Sequence, residues 1–322
     1  MLSKTFVAIC LAFLCLSSLA SADVLRVVDE PIQLTPVGRY FMHPVWSPHG
    51  DRLALAGRNY KGLWIIDRQG GEPQEICDLL GAGFEPTWSP DGQRIACRVN
   101  VIQNKRQLSA IAVYDLEKGT ATELTEYGKN LGLPIWIDRG RKLCFPEGDK
   151  LDAVEAPGAL SSAESMEETI LHLRNGAMVL ASWPQENERI LQPVEADILL
   201  AVLSPEKSHI AFEVSGAQLY VVNIDGAGLV ELGRGERPQW SPDGQWLTYM
   251  VTEDDGQRIL SSDIYAIKRD GTGRVSLTQT TDRLEMNPAW SPDGRLIACD
   301  TRGEGIILLI PVQMERDYPP LR

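Results

Sequence analysis

Short apolar runs alternate with polar turn clusters along almost the whole chain, at intervals too short for helices and suited to strands of four to six residues. The clearest punctuation is W-S-P-D-G, at Trp88 to Gly92, Trp240 to Gly244 and Trp290 to Gly294, with the variant W-S-P-H-G at Trp46 to Gly50. Ser and Pro suit the first two positions of a type I turn, Asp the third, and Gly a fourth position that needs positive φ. The motif therefore predicts a hairpin tip.

The runs after each tip repeat as well. A run such as Arg94 to Cys97, Trp246 to Tyr249 or Leu296 to Cys299 comes first. A second run succeeds it, as in Ile111 to Tyr114, Leu219 to Val222 or Ile264 to Ile267, and a last one ends in Leu-Thr or Leu-Gly. Each unit reads as four short antiparallel strands, the composition of a propeller blade. Degenerate tips at Trp136 and Leu203 bring the turns to 46, 88, 136, 203, 240 and 290, spaced by 42, 48, 67, 37 and 50 residues. The spacing predicts an all-β, six-bladed β-propeller of four-stranded blades. Trp183 lies only 20 residues before Leu203, too close for a blade of its own. Ala177 to Ser182 and Arg189 to Val194 then read as the third and fourth strands of the third blade. The excess collects in an insertion at 149–176, where S-A-E-S-M-E-E-T-I-L-H-L has capping-box spacing and predicts a short helix. This insertion is either a docking element for a partner or a simple loop elongation. The last unit lacks a fourth strand after Ile306 to Val312. Pro31 to Thr35 supplies one, so the N-terminal segment closes the final blade and leaves no large exposed sheet edge.

Composition adds a compartment. Lys4, an apolar run from Phe6 to about Leu16 and the small-x-small Ala20-Ser21-Ala22 predict a secretory leader at 1–22 cleaved after Ala22, with 23–322 as one propeller domain, periplasmic or secreted. The apolar run is shorter than the roughly 20 residues of a membrane span, and no later segment is long and apolar enough to insert. The formal charge of -13 disfavours nucleic acid and anionic lipid as partners, and it keeps an exported protein soluble. Beyond the leader remain Cys77, Cys97, Cys144 and Cys299. By strand register they are expected to be buried free thiols rather than disulfides.

The tip motif, with an Ile-Ala-like strand, an Ile-Tyr-like strand and a Leu-Thr ending, resembles the repeats of the TolB-like propeller family. The same repeats occur in the non-catalytic propellers of prolyl-oligopeptidase-type peptidases. The resemblance covers about residues 31–312 and implies a protein-binding propeller of the cell envelope. About eight residues separate the leader from the first strand, so the extra α/β domain of TolB is not expected. Neither is a hydrolase domain, since no G-x-S-x-G elbow occurs.

Candidate chemistry is sparse. The histidines, His43, His49, His172 and His209, form no closely spaced metal-binding pair. His49 and His209 read as surface substitutions, and His172 falls in the insertion. The residue three before each tip lies on the innermost strand and faces the central channel: His43, Glu85, Leu133, Leu200, Arg237 and Asn287. Loops converge on such an axis, so His43, Glu85, Arg237 and Asn287 are the candidate binding residues at the channel mouth; a solvated pore rim is the other reading. The expectation is a non-enzymatic, monomeric protein-interaction module with no cofactor and no metal. The alternatives are a carbohydrate or small-ligand binder, which would show exposed loop aromatics, and a propeller enzyme of polysaccharide-lyase type, which would cluster histidines around a metal.

Overall fold

The computed structural model describes residues 23–158, 167–185 and 187–316. Seven antiparallel sheets make up the described chain. The fold is an all-β propeller of seven blades, not six, and the blades are not all four-stranded.

Blade 1 holds Phe41–Trp46, Arg52–Gly57, Lys61–Asp67 and Gln74–Leu80. Blade 2 holds Thr87–Trp88, Arg94–Gln103, Arg106–Asp115 and Thr120–Glu123. Blades 5 and 6 are built alike, the former from Ile198–Leu203, His209–Val214, Gln218–Asn223 and Val230–Arg234, the latter from Glu236–Trp240, Trp246–Asp254, Ile259–Lys268 and Val275–Ser276. Blade 7 joins Glu285–Trp290, Leu296–Thr301 and Ile307–Arg316 to two N-terminal strands, Asp23–Val27 and Ile32–Gln33, which both pair with Ile307–Arg316. The N-terminal segment thus closes the last blade. The start of the C-terminal tail extends this third strand far enough to reach Asp23–Val27.

Tip chemistry explains why the motif recurs. In each copy the glycine N–H bonds the serine carbonyl, as from Gly92 to Ser89 at 2.8 Å and from Gly294 to Ser291 at 2.9 Å. The four glycines sit at φ between 67° and 69°, where a β-carbon is strained. The serine hydroxyl donates to an aspartate at the turn (Ser291 Oγ to Asp293 Oδ1, 2.6 Å) and accepts the N–H that starts the next strand (Leu296, 2.9 Å). The tryptophan then staples blade to blade. Its indole N–H donates to the carbonyl just before the neighbouring blade's tip tryptophan or leucine: Trp46 to Ala289, Trp88 to Val45, Trp136 to Thr87 and Trp240 to Val202, at 3.0 to 3.2 Å. Each such bond contributes about 1 kcal/mol beyond the burial of the ring. Cys97, Cys144 and Cys299 are buried free thiols in this packing, and Cys77 is half-buried.

Blades 3 and 4 depart from the plan. Blade 3 has three strands, Ile135–Ile137, Lys142–Glu147 and Lys150–Glu155. Blade 4 has three more, Glu168–Arg174, Ala177–Trp183 and Asn187–Leu191. The segment 149–176 is therefore not an insertion, because it supplies the third strand of blade 3 and the first of blade 4. Glu168 to Leu173 form a strand rather than a helix, and the rest of the expected helix, 159–166, lies outside the described residues. Ala177–Trp183 and Asn187–Leu191 belong to blade 4 and not to blade 3.

Blade 4 is also reversed. The first strand of every other blade runs toward the tips, whereas Glu168–Arg174 starts there. Glu168 accepts the Asp138 N–H at blade 3's tip (2.6 Å), while Gly176 accepts the Ile198 N–H at the far end of blade 5's first strand (2.8 Å). The first hairpin of blade 4 is thus made at the opposite face, by Asn175-Gly176 at φ 51° and 74° between the paired Arg174 and Ala177. Two residues of left-handed φ join the strands with the correct twist. A tip motif there has nothing to join.

Candidate functional site: the propeller axis

The six residues singled out by register divide into two groups. His43, Glu85, Arg237 and Asn287 all adopt left-handed φ, 55°, 49°, 58° and 51°. In blades 1, 6 and 7 a break in register falls at this point, between Met42 and Val45, Glu236 and Gln239, and Met286 and Ala289. Each of the four precedes a proline, Pro44, Pro86, Pro238 or Pro288. Proline has no N–H to pair, so the ladder yields there at little cost, and the resulting bulge turns the preceding side chain toward the axis. Leu133 precedes Pro134 but, like Leu200, has no left-handed φ.

Three of the bulged side chains meet. Arg237 Nη1 donates to Glu85 Oε1 at 2.7 Å, His43 Nε2 lies 3.3 Å from Glu85 Oε2, and Arg237 Nη2 is 3.4 Å from His43 Nδ1. Tyr60, from the loop of blade 1, favours the charged form of Arg237 and sets its ring edge-on to His43 at 5.8 Å. Burial opposes ionisation of Glu85, but the hydrogen bonds and charges of His43 and Arg237 outweigh it and hold the carboxyl at about 2. The side chains of Glu85 and Arg237 remain 27% and 20% exposed, so the pair is reachable from the cavity it borders.

A second layer of acids supports the bulges. The turned-out N–H of Arg237 is accepted by Glu213 at 2.9 Å, and the backbone of His43 favours the charged form of Asp300. Both acids are the fifth residue of the preceding blade's second strand. Asp300 also accepts from Asn287 Nδ2 at 2.8 Å, which takes Asn287 out of the ion network. Burial pushes Asp300 up to about 6 against these hydrogen bonds and the His43 charge. Burial likewise raises Glu213, offset in part by the Arg237 N–H.

Two cavities share this wall. A channel of about 400 Å³ runs from the tips at Ser47, Pro48 and Pro292 past Trp46, Trp88, Trp240 and Trp290 to His43, Glu85, Arg237 and Asn287. The candidate residues therefore stand at its inner end, away from the tips. A larger cleft of about 830 Å³ opens among blades 2 to 5, where Leu133 and Leu200 lie, and it also touches Glu85 and Arg237. His172, unplaced by sequence, is buried on this cleft. Burial lowers its pKa, and its Nε2 has no hydrogen bond among the described residues. His49 is exposed and reaches the Asp91 carbonyl of the next tip at 3.1 Å, and His209 pairs with Ser208 Oγ at 2.6 Å.

No protein-family model matches the chain, and no curated protein matches it. Among solved structures, TolB from Acinetobacter baumannii is 16% identical with a TM-score of 0.47, over 87% of this chain and 66% of its own. A TolB candidate from Agrobacterium tumefaciens is 21% identical with a TM-score of 0.51, over 86% of this chain and 91% of its own. In fold, this chain is a TolB-like β-propeller.

Proposed function

We propose that this protein is a non-enzymatic interaction module, exported to the periplasm or beyond the cell, that holds another envelope or secreted protein at its axis. The observation that carries the reading is the convergence of Arg237, Glu85 and His43, from blades 6, 2 and 1, at the inner end of a channel open to the tips. These groups are bulged out of otherwise regular strands, a local distortion that packing alone does not require. Their hydrogen-bonding capacity is only partly used, so a partner's polar group entering the channel finds donors and acceptors already oriented.

Export rests on the leader read at 1–22, which lies outside the described residues. No helix among the described residues is long and apolar enough to cross a membrane. The likeness to TolB structures supports an envelope setting by analogy of fold. Affinity capture from an envelope fraction tests the reading, with the intact protein against the double variant Glu85→Ala, Arg237→Ala. Loss of a specific partner in the variant, with its melting transition retained, supports the proposal. Capture of the same partner at unchanged affinity removes the axis as the binding site.

A further inference from the structure

The cleft among blades 2 to 5 carries a guanidinium, that of Arg98, which faces the Phe84 ring at 5.7 Å and has no carboxylate partner among the described residues. Arg98 is the fifth residue of blade 2's second strand, the position at which blades 5 and 7 place Glu213 and Asp300. Glu213 there accepts the bulged Arg237 N–H of the next blade, and Asp300 accepts from Asn287. Blade 3 has no such bulge, and at this position the charge is inverted. Arg98 Nη1 donates to the Leu131 carbonyl at 2.9 Å, while Nε is buried without a partner and Nη2 makes no hydrogen bond among the described residues. No described carboxylate pairs with Arg98, whereas the cleft's other two arginines are taken, Arg174 by Glu188 and Arg237 by Glu85, both at 2.7 Å. Burial depresses the Arg98 pKa, the expected mark of a desolvated cation lacking a counter-charge. A guanidinium with a free edge is the natural seat of a carboxylate.

Around it the wall is mixed, with Glu85, His172 and Arg237 on it and an apolar part made by leucines. Leu133, Leu171, Leu173, Leu199 and Leu200 line the cleft, and Leu199 is 56% exposed. Its volume of about 830 Å³ falls in the range of small-ligand sites. Pro134 and Pro146, also in the wall, offer no N–H. A polypeptide occupant would bring backbone groups that need partners, and an alkyl chain would not.

We propose that this cleft binds an amphiphilic monocarboxylate, an unbranched acyl chain lying along Leu133, Leu171, Leu199 and Leu200 with its carboxylate on the Nη2 edge of Arg98. The site is distinct from the channel of the proposed partner interaction: Arg98 does not border the channel, and Asn287 does not border the cleft.

Titration calorimetry of the whole protein with hexanoate, octanoate and decanoate tests this, with decanol and decyltrimethylammonium as head-group controls. One site per chain is expected, with affinity rising at each step of chain length and decanoate held at least about tenfold more tightly than either control. Arg98→Gln should lose at least about tenfold for decanoate and little for decanol, and Asn287→Ala should change neither. At the exposed Leu199, Leu199→Lys should bind decanoate at least about tenfold more tightly than Leu199→Glu. That pair decides the matter should Arg98→Gln fail to fold. The proposal is overturned by absence of decanoate binding, by equal binding to a folded Arg98→Gln, by equality of the two Leu199 variants, or by a peptide with an apolar C-terminus binding more tightly than decanoate.

Discussion

The two sides of the propeller axis are made from differently built blades, and they present opposite chemistry. On one side blades 6, 7, 1 and 2 keep the tip motif, run their first strands toward the tips, and bulge Arg237, Asn287, His43 and Glu85 inward at left-handed φ. On the other side blades 3 and 4 are three-stranded and blade 4 runs backwards. The inner positions on that side, Leu133 in blade 3 and Leu200 in blade 5, are leucines without left-handed φ. Indole staples hold 7 to 1, 1 to 2, 2 to 3 and 5 to 6; among the described residues none spans blade 4, and Trp290 of blade 7 makes no such bond to blade 6. The motif thus does two jobs at once. It marks a first strand ending at the tip face, and in three of its four copies the indole also bonds the neighbouring blade.

Removing 149–176 tests the weaker side most severely. The deletion takes the third strand of blade 3 and the first strand of blade 4, so cooperative folding should be lost, seen as no thermal transition by circular dichroism. A deletion variant melting near the intact protein would return the segment to the status of a tolerated loop.

Next in size is a matched pair of tryptophans. Trp88→Ala removes a ring 7% exposed together with its bond to Val45 and should cost about 3–5 kcal/mol in urea unfolding. Trp183→Ala, half-buried in blade 4 with no partner for its indole N–H among the described residues, should cost less than about 2 kcal/mol. Equal costs would mean that the staple distinguishes nothing.

The smallest effects are electrostatic and have opposite signs. Glu85 is held at about 2 against an ordinary 4.5, so its contribution is present above pH 4.5 and is lost as the pH falls toward 2. Asp300 is raised from 3.8 to about 6, so its contribution is full below pH 3.8 and is lost as the pH rises through 6. Each is worth on the order of 2 kcal/mol. Melting temperature against pH should therefore show Asp300→Asn stabilised near pH 7.5 and flat between 4 and 6. Glu85→Gln should lose its acid limb below 4.5. An Asp300→Asn curve parallel to that of the wild type would remove Asp300 from the axial network.

Much of the fold is legible in residue order. The tips, the strand runs and the N-terminal closure come from local turn chemistry and period-two patterning, which do not depend on distant contacts. Blade 4 escapes a search for one hairpin type. The signal for the other hairpin lies in Asn175-Gly176, flanked by Leu171 to Arg174 and Ala177 to Leu180. Of the axial residues, register locates all four polar ones, but a following proline does not by itself announce a bulge, since Leu133 before Pro134 has no left-handed φ. Their pairing is not legible. His43, Glu85 and Arg237 become neighbours only through ring closure over nearly 200 residues, and whether Asn287 joins them depends on Asp300, whose burial no local pattern shows.

Hydrogen exchange by mass spectrometry over Glu168–Arg174 in the whole protein addresses the reversed blade 4 most directly. Those amides pair with Ala177–Trp183, so the account predicts protection comparable to that of Ile198–Leu203 in blade 5, at least about a thousandfold slower than an open loop. Exchange at the rate of an exposed turn would contradict it, and with it the division of the axis into a tip-side channel and a leucine-bearing cleft.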